Sequence, residues 1–184
     1  RIEARKDDGT TCGVDQTGVL WIHGPQVMRG YYQNPERTRA VLTEDGWFNS
    51  GDLGHRDAEG NVWITGRAKD TIVLAGGENV EPEPIETLIK TSPFIDQAVV
   101  VGQDQKSLGA LLVANRDALE HTVPQAEWAA RGHVLTGPAV EKLLRKELDR
   151  LLVRENGVRP CDRVATLRVL AEPMTPENGL LTQT

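Results

Sequence analysis

The sequence predicts an α+β fold, in which a β-rich first part precedes a smaller α+β unit with a mixed sheet and flanking helices. Two observations lead to this prediction. Before Arg67–Asp70, apolar strand-like runs alternate with glycine-containing turns. After it, the apolar spacing indicates a helix, two strands, a second helix and a last strand. We therefore place one domain at residues 1–68 and a second at residues 69–184.

The first part opens with a polar, turn-rich segment and then becomes strand-like. TGVLWIHG at residues 17–24 is an apolar run typical of a strand. In QNPERTRAVL, residues 33–42, Asn34 is a good N-cap and Pro35 suits the first helical position. The sequence therefore predicts a strand followed by a short helix.

A hairpin follows, with GDLGHRD and GNVWITGR on either side of the turn DAEG at residues 57–60. If the turn is centred near Glu59 and Gly60, Asp52 lies directly opposite Arg67. One interpretation is a surface salt bridge that closes the hairpin and contributes about 0–1 kcal/mol. The other is a carboxylate that accepts both hydroxyls of a ribose diol, with the guanidinium beside it. Spacing alone favours the salt bridge.

The second part contains the clearest helix of the chain. GPAVEKLLRKELDRLLVREN, residues 137–156, has an apolar stripe with charged residues opposite, which is typical of a helix that faces a core. The other predicted elements are, in order, a strand at 71–74, a helix at 81–94, a strand pair at 97–102 and 109–115, and a strand at 164–170.

Composition excludes several classes of function. The net charge is −6 and no Lys/Arg cluster is present, so we do not expect nucleic-acid binding. The apolar runs are far shorter than the roughly 18 residues that a membrane span needs. Four scattered histidines and two cysteines without CxxC spacing predict no metal site and favour a reducing, intracellular compartment.

Three stretches then identify a family. GYYQNPERT (30–38), DGWFNSGDLG (45–54) and GNVWITGRAKDTIVLAGGENVEPEPIE (60–86) resemble, in order and spacing, the adenylate-forming acyl-CoA synthetase superfamily. The residues of these stretches are most similar to those of the family's long-chain fatty acyl branch. PMTPENGLLTQT (173–184) is similar to the stretch before that branch's C-terminal lysine, whereas residues 115–160 match only in general character.

Enzymes of this family use ATP and Mg²⁺ to convert a carboxylic acid to an acyl-adenylate, and then pass the acyl group to a thiol. The resemblance implies that Asp52 and Arg67 bind the ribose of the nucleotide. It implies that Lys69 is the hinge on which the C-terminal domain turns between the two half-reactions; without the resemblance, Lys69 would be a solvated loop residue. The remaining implied site is the loop that faces the thiol-bearing arm, which consists of Ala75, Gly76 and Gly77.

Parts of the family's machinery do not occur in the sequence. The Ser/Thr/Gly-rich phosphate loop and the acid-binding pocket belong upstream, and the lysine that contacts the adenylate would follow just after Thr184. We therefore expect a C-terminal fragment of an ATP-dependent fatty acid:thiol ligase, with a long-chain fatty acid–CoA ligase (AMP-forming) as its parent. The fragment alone, with no catalytic residue of its own and no bound cofactor, is expected to be inactive.

Two alternatives stay open at this point. The parent is either a coenzyme A ligase or an acyl-acyl carrier protein synthetase. The final residues NGLLTQT of this chain also resemble the tail of such synthetases. The other alternative is a non-catalytic binding module that retains the fold. Expected partners are a fatty acid and coenzyme A or acyl carrier protein, and the expected compartment is the cytoplasm, with peripheral membrane association of the parent left open. Four basic residues could contact either acceptor or simply form a solvated face: Arg116, Arg145, Lys146 and Arg150.

Overall fold

The computed structural model describes residues 1–181, and they form two compact units, Arg1–Thr71 and a second that begins at Ile72. The first unit contains one sheet and the second contains two. The boundary lies a few residues after the one placed at residues 68 and 69 from the sequence. Within residues 1–181, no helix is long and apolar enough to cross a bilayer.

The first unit is a four-stranded antiparallel sheet with one short helix. The strands follow each other in space as they do in sequence, β1-β2-β3-β4. Their bounds, and those of the helix, are β1 Ile2–Arg5, β2 Gly18–His23, α1 Pro35–Val41, β3 Trp47–Arg56 and β4 Val62–Arg67. The helix starts as its sequence predicts, because the Asn34 side chain accepts a hydrogen bond from the Arg37 amide at 3.0 Å.

A buried carboxylate and an arginine that lies over a tryptophan ring hold the start of this sheet together. Glu3 is 6% exposed and forms ion pairs with Arg1 and Arg5, which offset the cost of burying its charge. The Arg5 guanidinium lies 4.2 Å from the centre of the Trp47 ring, close enough for a cation–π interaction. This part of the unit therefore depends on paired charge as much as on apolar burial.

The second unit is built on a five-stranded mixed sheet in the order β7-β8-β11-β10-β9. The β8 and β11 strands are parallel, and every other pair is antiparallel. A separate small hairpin, β5 with β6, precedes it. The elements are β5 Ile72–Val73, β6 Asn79–Val80, α2 Pro82–Ile89, β7 Ile95–Val101, β8 Leu108–Ala114, α3 Arg116–Glu120, β9 Ala129–Arg131, β10 Val134–Thr136, α4 Pro138–Leu151 and β11 Val164–Leu170. The predicted α+β class, with a mixed sheet and flanking helices, is confirmed.

The core of the second unit lies where α2 and α4 pack on the sheet. The α4 stripe faces it as predicted, with Val140, Leu144, Leu148 and Leu151 buried. The helix ends earlier than the apolar pattern suggests, at Leu151. Beyond it the chain forms a 3-10 turn, Arg154–Asn156, and then Gly157 takes a left-handed conformation with φ of 80°.

A second 3-10 turn, Pro160–Asp162, is tied to β6 by one arginine. The Arg159 guanidinium donates to the Asp162 carboxylate at 2.7 Å and to the backbone carbonyl of Asn79 at 2.9 Å. Burial raises the pKa of the Asp162 carboxyl, but the hydrogen bonds from the side chain and backbone of Arg159 outweigh it and lower that pKa overall. The charged form of Asp162 is therefore favoured in the folded unit.

We expect the second unit to lose stability in acid through Asp162. Because its folded pKa lies below the ordinary 3.8, its contribution is complete above that value and disappears as the pH falls through the lowered pKa. Hydrogen exchange of the β8 amides, measured from about pH 6 to about pH 3 and corrected for intrinsic exchange, should show this loss. Asp162→Asn should be less stable near neutrality and lack this acid-dependent part. Asp149→Asn, on the exposed face of α4, is the control; an unaltered acid profile in Asp162→Asn would contradict the prediction.

Candidate functional site

Asp52 and Arg67 face each other at the open end of the β3–β4 hairpin. They are paired residues in the strand register, as the spacing predicts, and the Arg67 Nε lies 3.2 Å from the Asp52 Oδ1. The arginine side chain is 64% exposed and the aspartate side chain 25%. A pair this accessible contributes about 0–1 kcal/mol to stability, so stability alone does not account for it.

The far end of the same hairpin is fixed by Asp57. Its carboxylate accepts hydrogen bonds from the Trp63 indole and from the Asn61 side chain, both at 2.9 Å. It also accepts one from the backbone amide of Asn61 at 2.7 Å. The bonds from Trp63 and then Asn61 lower the pKa of Asp57. The turn therefore sets the register of the pairs nearest to it, from Arg56–Val62 to Gly54–Ile64, and the extra residue Thr65 in β4 then brings Asp52 opposite Arg67.

A bulge in β3 displaces the aspartate from the regular sheet. Along β2 the pairing passes from Val19 to Trp21, while along β3 it passes from Leu53 to Asn49. Residues 50–52 of β3 therefore lie opposite a single residue of β2. Bulges redirect side chains, and this one contains the carboxylate of interest.

Local hydrogen bonds and one glycine maintain the bulge. Gly51 has φ of +75°, a left-handed conformation that residues with a Cβ rarely adopt. The Ser50 hydroxyl donates to the Leu20 carbonyl at 2.9 Å and accepts from the Asp52 amide at 3.1 Å. Ser50 thus satisfies backbone groups that the interrupted ladder would leave unpaired.

We expect Gly51→Ala to destabilise this bulge through its backbone. A Cβ at Gly51 would meet no atom within 4 Å, so the cost is the left-handed conformation itself, about 1–2 kcal/mol. Gly51→Asn should cost less, because asparagine tolerates that conformation better. Amide hydrogen exchange along β3 measures the difference, and equal exchange in the two variants would contradict it.

The strands on either side of the pair approach closely. The β3–β4 register shifts between Leu53 and Gly54, so that Thr65 is an extra residue in β4. A Cβ on Gly54 would collide with the backbone carbonyl of Trp63 and lie 2.9 Å from the Leu20 side chain. Two register irregularities therefore flank the Asp52–Arg67 pair, and glycine is required at the second of them.

The Asp52 carboxylate retains capacity to bind a ligand. Its Oδ1 faces Arg67, and within residues 1–181 its Oδ2 has no hydrogen-bond partner. A carboxylate with free acceptor sites and a neighbouring guanidinium can accept hydrogen bonds from two adjacent hydroxyl groups.

Sequence reasoning missed Ser50 and Asn49, which shape the bulge. The signal was the pair of polar residues directly before Gly51. The Asn49 side chain accepts a hydrogen bond from the Gly51 amide at 2.9 Å.

Lys69 lies in a turn of residues 68–70 that directly follows β4. The backbone of this turn is tied down by bonds from the Ala68 amide to the Gly51 carbonyl and from the Asp70 amide to the Arg67 carbonyl. The lysine itself is exposed, shortly before the first unit ends at Thr71. Its role as a hinge stays a prediction.

Residues Ala75, Gly76 and Gly77 form the exposed turn between β5 and β6, in the second unit. Gly77 has φ of +87° with no atom within 4 Å of a Cβ placed there, so the backbone at this point is open to approach. The Gly77 amide donates to the Leu74 carbonyl at 2.8 Å, and the Ala75 amide donates to the Gln105 carbonyl at 2.9 Å. Its role toward a thiol arm stays a prediction.

The basic residues considered as acceptor contacts are mostly used within the fold. Arg150 pairs with Glu147 at 2.8 Å. Arg116 and Arg145 donate to backbone carbonyls, so these three arginines are not simply solvated; the carbonyls belong to Ala171, Val164 and Ala165. Lys146 is exposed.

Among residues 1–181, no cluster of three or more His, Cys, Asp or Glu side chains could hold a metal ion. The tail motif ends outside the described residues, at 182–184, and the lysine expected after Thr184 also lies outside them.

Comparison with known proteins relates the chain to a family. Residues 69–146 match the family model for the AMP-binding enzyme C-terminal domain. The recognition of the adenylate-forming superfamily is therefore confirmed, and residues 69–146 match the C-terminal domain of its AMP-binding enzymes.

Two curated relatives of the chain are named as ligases of long-chain fatty acids. The chain is 37% identical to the chloroplastic long-chain-fatty-acid–acyl-carrier-protein ligase AEE15 of Arabidopsis thaliana, over 91% of the chain and 22% of the relative. It is 35% identical to the long-chain-fatty-acid–CoA ligase FadD15 of Mycobacterium tuberculosis, over 96% of the chain and 29% of the relative. The chain thus spans about a quarter of the length of the curated relatives it matches.

A solved structure agrees with this relationship. The adenylation domain of a carboxylic acid reductase from Segniliparus rugosus, in complex with AMP and a carboxylic acid, matches with a TM-score of 0.74 and 29% identity. The match covers 90% of the chain and 24% of that structure. The fold described above is therefore that of an adenylate-forming enzyme.

Proposed function

We propose that the whole polypeptide containing these 184 residues is an ATP-dependent fatty acid:thiol ligase that works through an acyl-adenylate. The observation that carries the proposal is the Asp52–Arg67 pair, placed by a bulge at the open end of a hairpin with a free carboxylate oxygen. Relatives named as ligases of long-chain fatty acids, and a structural neighbour that binds AMP, support the choice of substrates.

In the first half-reaction, a carboxylate oxygen of the fatty acid attacks the α-phosphorus of ATP, and pyrophosphate leaves. Asp52 accepts hydrogen bonds from the two ribose hydroxyls, while Arg67 holds the carboxylate in place. Mg²⁺ bound to the ATP phosphates would neutralise part of their charge. These two residues therefore orient the nucleotide and do not take part in bond making.

In the second half-reaction, a thiol attacks the acyl carbonyl carbon and AMP leaves. The turn of Ala75, Gly76 and Gly77 gives the thiol-bearing arm a backbone with no side chains beyond one methyl group. Lys69 is the position at which the backbone dihedrals change between the two half-reactions. The first choice of acceptor is coenzyme A, as in FadD15, and the alternative is acyl carrier protein, as in AEE15.

The test uses the whole purified polypeptide with ATP, Mg²⁺ and a series of fatty acids. Pyrophosphate release that depends on the fatty acid would demonstrate adenylate formation, and thioester formation is then measured with coenzyme A and acyl carrier protein offered separately. Binding of AMP without pyrophosphate release would overturn the proposal in favour of a non-catalytic binding module. Fractionation of cells tests the expected cytoplasmic location and any peripheral association with membranes.

A further inference from the structure

The turn between β7 and β8, residues 102–105, lies along the outer edge of β5. We call it the support turn. Its Asp104 amide donates to the Val73 carbonyl, and the Ala75 amide donates to its Gln105 carbonyl, both at 2.9 Å. These two bonds fix the backbone of Val73 and Ala75 against the support turn.

The Gln103 side chain forms a third hydrogen bond between the support turn and β5. The Gln103 Oε1 accepts a hydrogen bond from the Val73 amide at 3.0 Å. The Gln103 Nε2 donates to the Asp104 carboxylate at 3.1 Å, which holds the amide group in the orientation that Val73 requires. Asp104 itself has φ of +60°, an uncommon conformation for a residue with a side chain and one that aspartate tolerates.

The glycine turn begins where this support ends. Its other side is closed by the bond from the Leu74 amide to the Glu78 carbonyl at 2.9 Å. The position of Gly76 and Gly77 therefore depends on Ala75, which the support turn holds. Gln103 is exposed, so water competes for its hydrogen bonds and the global fold has little need of it.

We propose that Gln103 is a positioning residue for the thiol-transfer half-reaction. By fixing the Val73 amide, and through it the start of the turn at Ala75, it sets the path along which the thiol arm reaches the acyl-adenylate. This inference rests on the proposed function of the glycine turn. It assigns Gln103 no part in adenylate formation, which distinguishes the two half-reactions.

The test uses three variants of the whole polypeptide. Gln103→Met keeps the length of the side chain but removes the acceptor, whereas Gln103→Glu keeps an acceptor oxygen for Val73. Gln105→Ala is the matched control, because that residue takes part through its backbone amide and carbonyl, which the substitution retains. Amide hydrogen exchange at Val73 and Ala75 reports the support directly. Rates of pyrophosphate release and of thioester formation report the two half-reactions.

In Gln103→Met, exchange at Val73 should accelerate roughly three- to tenfold, the effect of one lost hydrogen bond. Thioester formation should fall roughly tenfold, while adenylate formation stays within about twofold of wild type. Gln103→Glu keeps the acceptor for Val73 but loses the donor to Asp104 and faces its like charge, so it should recover only part of both losses, and Gln105→Ala should match wild type. Unchanged exchange, or equal loss in both half-reactions, would overturn the inference. If neither the wild-type polypeptide nor any variant releases pyrophosphate, the proposed function is wrong, and the role of Gln103 in thiol transfer is wrong with it. If exchange is unchanged while pyrophosphate release is normal, only the proposed role of Gln103 is wrong.

Discussion

Asp52→Ala in the whole polypeptide is expected to lower the rate of adenylate formation on the order of a hundredfold to ten-thousandfold. The substitution removes two hydrogen bonds to a charged group, each worth roughly 1.5–3 kcal/mol. It also leaves the Arg67 guanidinium without the carboxylate that lies 3.2 Å away. Both losses act on the bound nucleotide, so pyrophosphate release in the presence of fatty acid is the quantity to measure.

Two further variants separate this effect from damage to the hairpin. Glu59→Ala changes an exposed carboxylate in the turn of the same hairpin and should leave the rate unchanged. Asp52→Asn keeps one acceptor oxygen and should lose less activity than Asp52→Ala. Hydrogen exchange of the β4 amides verifies that the strands remain paired. Normal turnover by Asp52→Ala would contradict the assignment of the ribose to this residue.

The second large effect concerns stability. Leu144→Ala should reduce the free energy of unfolding of the second unit by about 2–5 kcal/mol. Leu144 is 0% exposed and belongs to the stripe of α4 that packs against the sheet, so the lost side chain leaves a cavity that the helix backbone cannot fill.

Exchange of the β8 amides reports the second unit alone and is the measurement of choice. Lys142→Ala on the exposed side of the same helix is the matched control and should be close to neutral. A loss in Leu144→Ala no greater than that in Lys142→Ala would show that α4 does not carry the core.

The sequence predicted those features that depend on neighbours along the chain. The Asn34 cap and the apolar stripe of α4 follow from local spacing. The Asp52–Arg67 pairing follows from the hairpin spacing together with the extra residue Thr65 in β4, which the spacing does not reveal. In each case the interacting residues belong to one helix or one hairpin, so local rules bring them close together.

Features that join distant segments could not be predicted in this way, because no local sequence pattern indicates them. The bulge at residues 50–52 exists because β3 pairs with β2, which lies across a loop containing α1. The β9–β10 hairpin falls in residues 116–136, where alternation is weak and the strands are three residues each. Arg145 has an unremarkable position on α4, and only the fold shows that it donates to β11 carbonyls.

The order of strands in the second unit has a consequence for how the chain folds as it is synthesised. The hairpins β7–β8 and β9–β10 are complete early, yet neither contacts the other's edge, because β11 lies between them. A ribosome must therefore deliver residues up to Leu170 before the two halves can be joined. Until then each hairpin leaves an unprotected edge that could pair with a neighbouring nascent chain, and chaperone binding during this interval would be of most use.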